Sequence, residues 1–160
     1  MSWATIREAL QTRLAAIDGV ENVHDYLRYR KKGWQDSEFQ DLFMVTVGGN
    51  PFPHCWMFSR VDVAYIQAPE PDNVVKVQHQ ILVGAKYGFS DSDESEHAFN
   101  TLLDTVCADL INGDRTLGGV AITHSLPQVS DIQPAGFFKT KFLCHEATLQ
   151  FAIEELLTDE

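Results

Sequence analysis

Between Val75 and Tyr87 apolar and polar residues alternate with a period of two. Val75, Val77, Ile81 and Val83 fall on one side, and Lys76, Gln78 and Gln80 on the other. Successive side chains of a strand point to opposite faces, so this segment predicts a strand with one face buried and one solvated. Its partner is the run His54–Gln67, reached across Ala68-Pro69-Glu70-Pro71-Asp72-Asn73. That connection reads as a turn, because prolines cannot donate to a ladder. The pair predicts an antiparallel hairpin. On its first strand, Met57, Val61, Val63 and Tyr65 are expected on one face, and His54, Trp56, Phe58, Arg60 and Asp62 on the other.

Helical spacing flanks this hairpin. Ile6, Leu10, Leu14 and Ile17 form one stripe, with Ser2 or Thr5 as cap, Thr5 and Glu8 at capping-box spacing, and Gly19 where a left-handed cap residue belongs. Val20–Tyr29 reads as a weak strand, residues 28–41 as a loop, and Leu42–Val47 as a short strand ended by Gly48-Gly49-Asn50-Pro51. Phe99, Leu102, Leu103, Val106 and Leu110 mark a second helix, opened by the acidic run Asp91–Glu96 and closed by Gly113. Asp114–Gly119 is a turn, Val120–Ile132 an extended segment broken by Pro127, and Lys139–Leu156 a last long strand. The expected order is helix, four strands, helix, two strands. Strands that cluster rather than alternate with helices imply an α+β class: a mostly antiparallel sheet with two main helices packed on one face, in a single domain spanning residues 1–160.

Composition limits the function. The chain has 160 residues, 44% of them hydrophobic and 22% charged, as in a globular protein. No apolar run approaches the roughly 20 residues of a membrane span, so no membrane role is expected. Arg7, Glu8 and Arg13 interrupt the apolar positions that a secretory leader would need, so a cytoplasmic chain is expected. The three cysteines, Cys55, Cys107 and Cys144, are odd in number and widely spaced, which argues for small buried residues rather than a disulfide framework. A net charge of −11 repels nucleic acid at long range.

Signatures of chemistry are sparse. Gly48-Gly49 and Gly118-Gly119 lack the Lys-Ser/Thr and the helix of a phosphate loop. The histidines form no H-E-x-x-H, and there is no C-x-x-C. Adjacent residues on a strand face opposite ways, so neither His54-Cys55 nor Cys144-His145 is suited to share a metal. No catalytic residue, cofactor or metal ligand is expected. The enzyme alternative is a small metal-dependent hydrolase assembled across strands from His79, His145 and a carboxylate. Three surface groups remain. Arg28, Arg30, Lys31 and Lys32, with Trp34, concentrate positive charge in an acidic chain, as a partner interface or as a solvated loop. Phe52, Trp56, Phe58 and Arg60 form an aromatic and charged face, suited to an oligomer interface or to a covering helix. Asp91, Asp93 and Glu94 are acids for a channel lining or for a helix start.

Three phrases carry a resemblance. They are Ile6-x-x-x-Leu10-x-x-x-Leu14-x-x-Ile17-x-Gly19-Val20 leading into Val23-His24-Asp25-Tyr26; Asp114-Arg115-Thr116-Leu117-Gly118-Gly119-Val120 after the second helix; and Cys144-His145-Glu146-Ala147-x-Leu149 in the last strand. In these phrases and in its element order the chain resembles the phage tail-terminator and tail-completion proteins. The resemblance implies a virion structural protein without catalytic residues. It would form a ring, a hexamer, that caps the tail tube and binds the head connector or a neck protein while DNA passes through without specific binding. It would act in the host cytoplasm during assembly and then in the virion tail or neck. A neck or head-completion protein on the connector side is the other non-enzyme alternative.

Overall fold

The computed structural model of the chain describes residues 2–28, 36–67, 74–90, 94–138, 140 and 142–157. Its elements in chain order are α1 (Trp3–Ala15), β1 (Val23–His24), α2 (Asp36–Phe43), β2 (Met44–Val47), β3 (Asn50–Gln67), β4 (Val75–Gly88), α3 (Ser95–Asn112), β5 (Thr123–His124), β6 (Gln128–Gly136) and β7 (Leu143–Leu157). The sheet runs β1-β3-β4-β7-β5, with β2 also on β3 and β6 also on β7; every pair is antiparallel except β1 with β3. The class is therefore α+β with a mostly antiparallel sheet.

The order departs from expectation in two places. The span 28–41 is not all loop, because α2 occupies its second half; residues 29–35 lie outside the described residues. Phe39 and Phe43 give this short helix an apolar face at i, i+4 spacing, and both are buried. The segment after the 114–119 turn divides into β5 and β6, and β6 continues to Gly136, so three strands follow α3 rather than two. The expected turn at residues 68–73 also lies outside the described residues.

Alternation on β4 sorts the layers. Val77, Ile81, Val83 and Ala85 are buried beneath α1 and α3, together with Ala147, Leu149, Phe151 and Ile153 of β7. α1 contributes Ile6, Leu10 and Leu14, and α3 contributes Phe99, Leu102, Leu103, Val106 and Leu110. α2 packs elsewhere, with Phe39 and Phe43 joining Cys55, Met57, Phe137 and Cys144 in a second cluster. Cys55 and Met57 alternate with Trp56 and Phe58, so this cluster lies on the opposite face of the sheet, and only two of the three helices share a face. Among the described residues no helix is long and apolar enough to cross a membrane.

Helix ends follow backbone geometry more than side-chain caps. Ser2 is the N-cap of α1 without a side-chain cap bond, and Thr5 lies inside the helix, so the Thr5–Glu8 capping box does not form. Gly19 has φ +82, the left-handed conformation that glycine adopts without steric cost. α3 begins at Ser95 with Glu94 at φ 50 as its N-cap, so Glu96 is the acid of its first turn. The acidic run therefore precedes the helix more than it opens it. Asn22, also at φ 50, donates through Nδ2 to the carbonyls of Met44 at 3.1 Å and His54 at 2.9 Å, clipping the segment before β1 to β2 and β3.

One irregularity reverses a predicted face. The β3–β4 register shifts between Arg60, opposite Ile81, and Asp62, opposite Gln80, leaving Val61 as an extra residue. A one-residue bulge inverts the side-chain phase beyond it. Val63 and Tyr65 therefore lie opposite His79 and Val77 on the helix side, not on the side of Met57 as expected. Trp56 and Phe58 are 1% and 0% exposed, beneath the helices, so they are core residues rather than an oligomer surface; Phe52 is half-buried and Arg60 exposed. Trp56→Ala should lower stability by about 3–5 kcal/mol, the cost of a large buried cavity. Val61→Ala, at an exposed bulge, should stay within about 0.5 kcal/mol. Urea unfolding of the two variants measures the contrast.

Candidate functional site

Of the basic group, Arg28 is described; Arg30, Lys31, Lys32 and Trp34 lie outside the described residues. The Arg28 guanidinium sits 4.4 Å from the centre of the Tyr26 ring, and its backbone N–H donates to Met57 Sδ at 3.4 Å. Of the acidic group, Glu94 is exposed at the start of α3, while Asp91 and Asp93 lie outside the described residues.

The histidines are held singly. His79 Nε2 donates to Glu155 Oε1 at 2.9 Å, and Arg60 Nη1 lies 3.4 Å from His79 Nδ1. The guanidinium can only donate and the carboxylate only accept, so the two partners select the neutral Nε2–H tautomer. Trp3 closes this cluster, with the His79 ring centroid 5.6 Å and the Arg60 guanidinium 4.9 Å from its ring. His145 Nε2 and Ser95 Oγ share a hydrogen bond at 2.9 Å. His79 is level with Ile153 on β7, eight residues from His145, roughly 26 Å along the strand. The structure does not bring the two together, so the alternative hydrolase site that would need both does not assemble from them. Among the described residues, no group of three His, Cys, Asp or Glu side chains is placed to hold a metal ion.

The Ser95–His145 pair most resembles catalytic geometry, and a pocket of about 200 Å³ lined by Phe89, Ser90, Glu94 and His97 adjoins it. Ser95 Oγ also accepts the backbone N–H of Ser90 at 2.8 Å, and the Ser95 N–H returns to the Ser90 carbonyl at 3.2 Å. The hydroxyl thus closes the entry to α3. Burial raises the thiols of Cys55 to about 12 and of Cys144 to about 11, far from the thiolate a nucleophile requires.

The sheet offers larger features. On the face opposite α1 and α3, β4 and β7 present Lys76, Gln78, Gln80, Lys86, Glu146, Thr148, Gln150 and Glu154. Both lysines are neutralised: Lys76 Nζ lies 2.6 Å from Glu154 Oε2, and Lys86 Nζ 2.6 Å from Glu146 Oε2. Burial raises the Glu146 carboxyl, but hydrogen bonds from Lys86 and Gln133 outweigh it and hold the group below its usual range. Two strand edges stay open. β2 takes Asn50–Pro53 and β1 takes Trp56 and Met57, so β3 from Phe58 to Gln67 has no outer partner among the described residues. The outer edge of β6 is likewise unpaired among them. Val61, Tyr65 and Ile66 are exposed on the first edge, and Leu126 and Ile132 at the second. Sequence reasoning missed both edges, since an edge is defined by which strands pair, and a single strand does not encode that. A groove of about 520 Å³ runs between the β2–β3 hairpin and α3, lined by Val45, Val47, Phe52, His54, Tyr87 and Leu102.

Burial pushes His54 down to about 4 and also lowers His24 and His124. Each is neutral when folded, while the unfolded chain takes up a proton near pH 6.5. Stability is therefore full above pH 6.5 and falls as pH drops towards 4, by on the order of 3 kcal/mol for His54. Replacing His54 by Gln should flatten this acid limb in urea titrations run across that window. A fluorophosphonate probe should leave Ser95 unmodified; a labelled Ser95 peptide in mass spectrometry would give the pair a catalytic role.

In comparison with known proteins, no family model and no curated protein matches this chain.

Proposed function

We propose that the chain is a phage virion structural protein that caps the tail tube as a hexameric ring and joins the tail to the head. The observation that carries this reading is the charge-paired polar face of β4 and β7 opposite α1 and α3. A channel for DNA must not capture phosphate, and each free cation along it would add a salt-dependent contact. On this face both lysines are bound to carboxylates, and the remaining residues of the two strands are uncharged: Gln78, Gln80, Thr148 and Gln150 beside Leu82, Gly84, Ala152 and Leu156. The chain as a whole carries −11. Its partners in this reading are further copies of itself, the tail tube protein, and the head connector or neck protein; DNA passes without specific binding. The basic group from Arg28 to Lys32 serves as a contact to an acidic partner, where complementary charge steers docking.

Assembly occurs in the host cytoplasm, and the protein then resides in the virion tail or neck. The three sequence phrases that carry the resemblance support the same reading. Asp114 and the residues after it show why such a phrase can recur without a catalytic role. Asp114 Oδ1 accepts the Thr116 N–H at 2.8 Å and Oδ2 accepts the Gly118 N–H at 2.6 Å, which organises a turn.

Electron microscopy of particles made without this protein is the decisive measurement. Overlong tail tubes are the expected outcome. Tubes of normal length that lack heads would instead assign a neck role, and intact infectious particles would remove the structural reading.

A further inference from the structure

The two open edges belong to opposite sides of one sheet, and their directions are fixed by the pairings already described. β3 is antiparallel to β4, β4 to β7 and β7 to β6, so β6 runs antiparallel to β3. A rotated copy placed beside the first would offer its β6 edge to the β3 edge in antiparallel orientation. We propose that the open edge of β3 pairs with the β6 edge of a second copy of this chain, continuing the sheet from subunit to subunit. This rests on the ring reading above and names the surfaces that build the ring.

Face parity limits the register. Val63 shares the helix-side face with His79, and Val129 shares it with Leu149. Setting Val63 opposite Val129 keeps the helix-bearing faces of both copies on one side. In that register, with Val61 left out of the ladder as the bulged residue, Arg60 comes beside Asp131, and Ile66 beside Leu126, two residues before β6. Arg60 is the exposed cation of the β3 edge, and Asp131 the charged residue of β6. Ile66 and Leu126 are exposed apolar residues that the contact would cover. Both edges carry a bulge, at Val61 on β3 and between Ser130 and Gln133 on β6, and this register places the two irregularities against each other. The contact sets Arg60 against Asp131, with Asp62 of β3 level with the uncharged Ser130, in a chain that otherwise repels its own copies.

The stagger also fits closure. Val63 is level with Ile153 of β7, whereas Val129 is level with Leu149, so each copy is offset by four residues along the strands. That offset is about 13 Å, against about 19 Å across β3, β4, β7 and β6. The two lengths require a strand tilt of about 35°, at the lower end of the 35–45° of closed barrels. An edge contact of this kind is heterologous, and a heterologous contact with a rotation that closes makes a ring.

The test uses the full chain with Cys107→Ser, so that the half-buried thiol does not compete, and with Ala64→Cys and Gln128→Cys together; these positions face each other in the proposed register. Oxidation or a short bismaleimide should give a crosslinked ladder extending past the dimer, while each single cysteine variant gives none. Dimers from Ala64→Cys alone would show a two-fold β3-to-β3 contact and overturn the proposal, as would the absence of crosslinks in the double variant. Native mass spectrometry of the same samples separates the two levels. A ring without crosslinks leaves the ring reading standing with different surfaces, whereas neither ring nor crosslinks removes both.

Discussion

The fold hangs on β4. Every residue from Val75 to Gly88 is paired with β7, and β3 lies along its other side from His54 to Gln67. A strand hydrogen-bonded along both edges has a single freedom left, which of its faces is buried. Val77, Ile81, Val83 and Ala85 decide it, since a slip of one residue would exchange them for Lys76, Gln78, Gln80 and Lys86. Burying one such aliphatic side chain is worth about 1.5–3 kcal/mol, so several together outweigh any local preference of the flanking strands. α1 and α3 then pack their own stripes against this surface. Within this core His79 is held between Glu155 and Arg60, while Glu155 Oε2 is buried without a hydrogen-bond partner.

This dominance explains which parts of the fold were legible in the sequence. The β4 alternation, the α1 stripe, and the α3 stripe with its Gly113 end are each long enough to show their period. α2 was not legible because its eight residues hold only one i, i+4 pair, Phe39 and Phe43, within an acidic stretch. The aromatic partners that make its helix worthwhile, Phe137 and Phe138, lie far along the chain, with ring centroids 5.5 Å and 6.1 Å from Phe39. The bulge at Val61 was hidden for a related reason. The residues Arg60-Val61-Asp62-Val63 alternate on paper, and only pairing with Ile81 and Gln80 reveals that one of them is extra.

The same limit applies to the surfaces. Trp56 and Phe58 alternate with Met57 in a way that marks a face, but composition alone does not say which layer covers it. The structure places α1 and α3 there. Among the described residues of the groups expected as contacts, Arg60 and Glu94 are exposed, and Arg28 and Phe52 half-buried. Arg60 is itself part of the His79 cluster, so its charge is positioned at the root of the open β3 edge rather than left to sample solvent.

Charge and edge protection lead to one further step. An open strand edge is an aggregation hazard, and soluble proteins blunt such edges with charges, prolines or bulges. β6 carries Asp131 and Pro134 beside its register shift, whereas β3 beyond Arg60 presents Val61, Val63, Ala64, Tyr65 and Ile66 with Asp62 as its one acid. Both edges carry a register shift and one acid, but the β3 edge is the more apolar of the two. In the proposed pairing of β3 with β6, the facing bulges and the Arg60 and Asp131 charges favour this contact over pairing of like with like, while the −11 of the whole chain suppresses looser encounters. Under that proposal the difference between the two edges favours head-to-tail order, the arrangement a ring needs and a two-fold dimer does not.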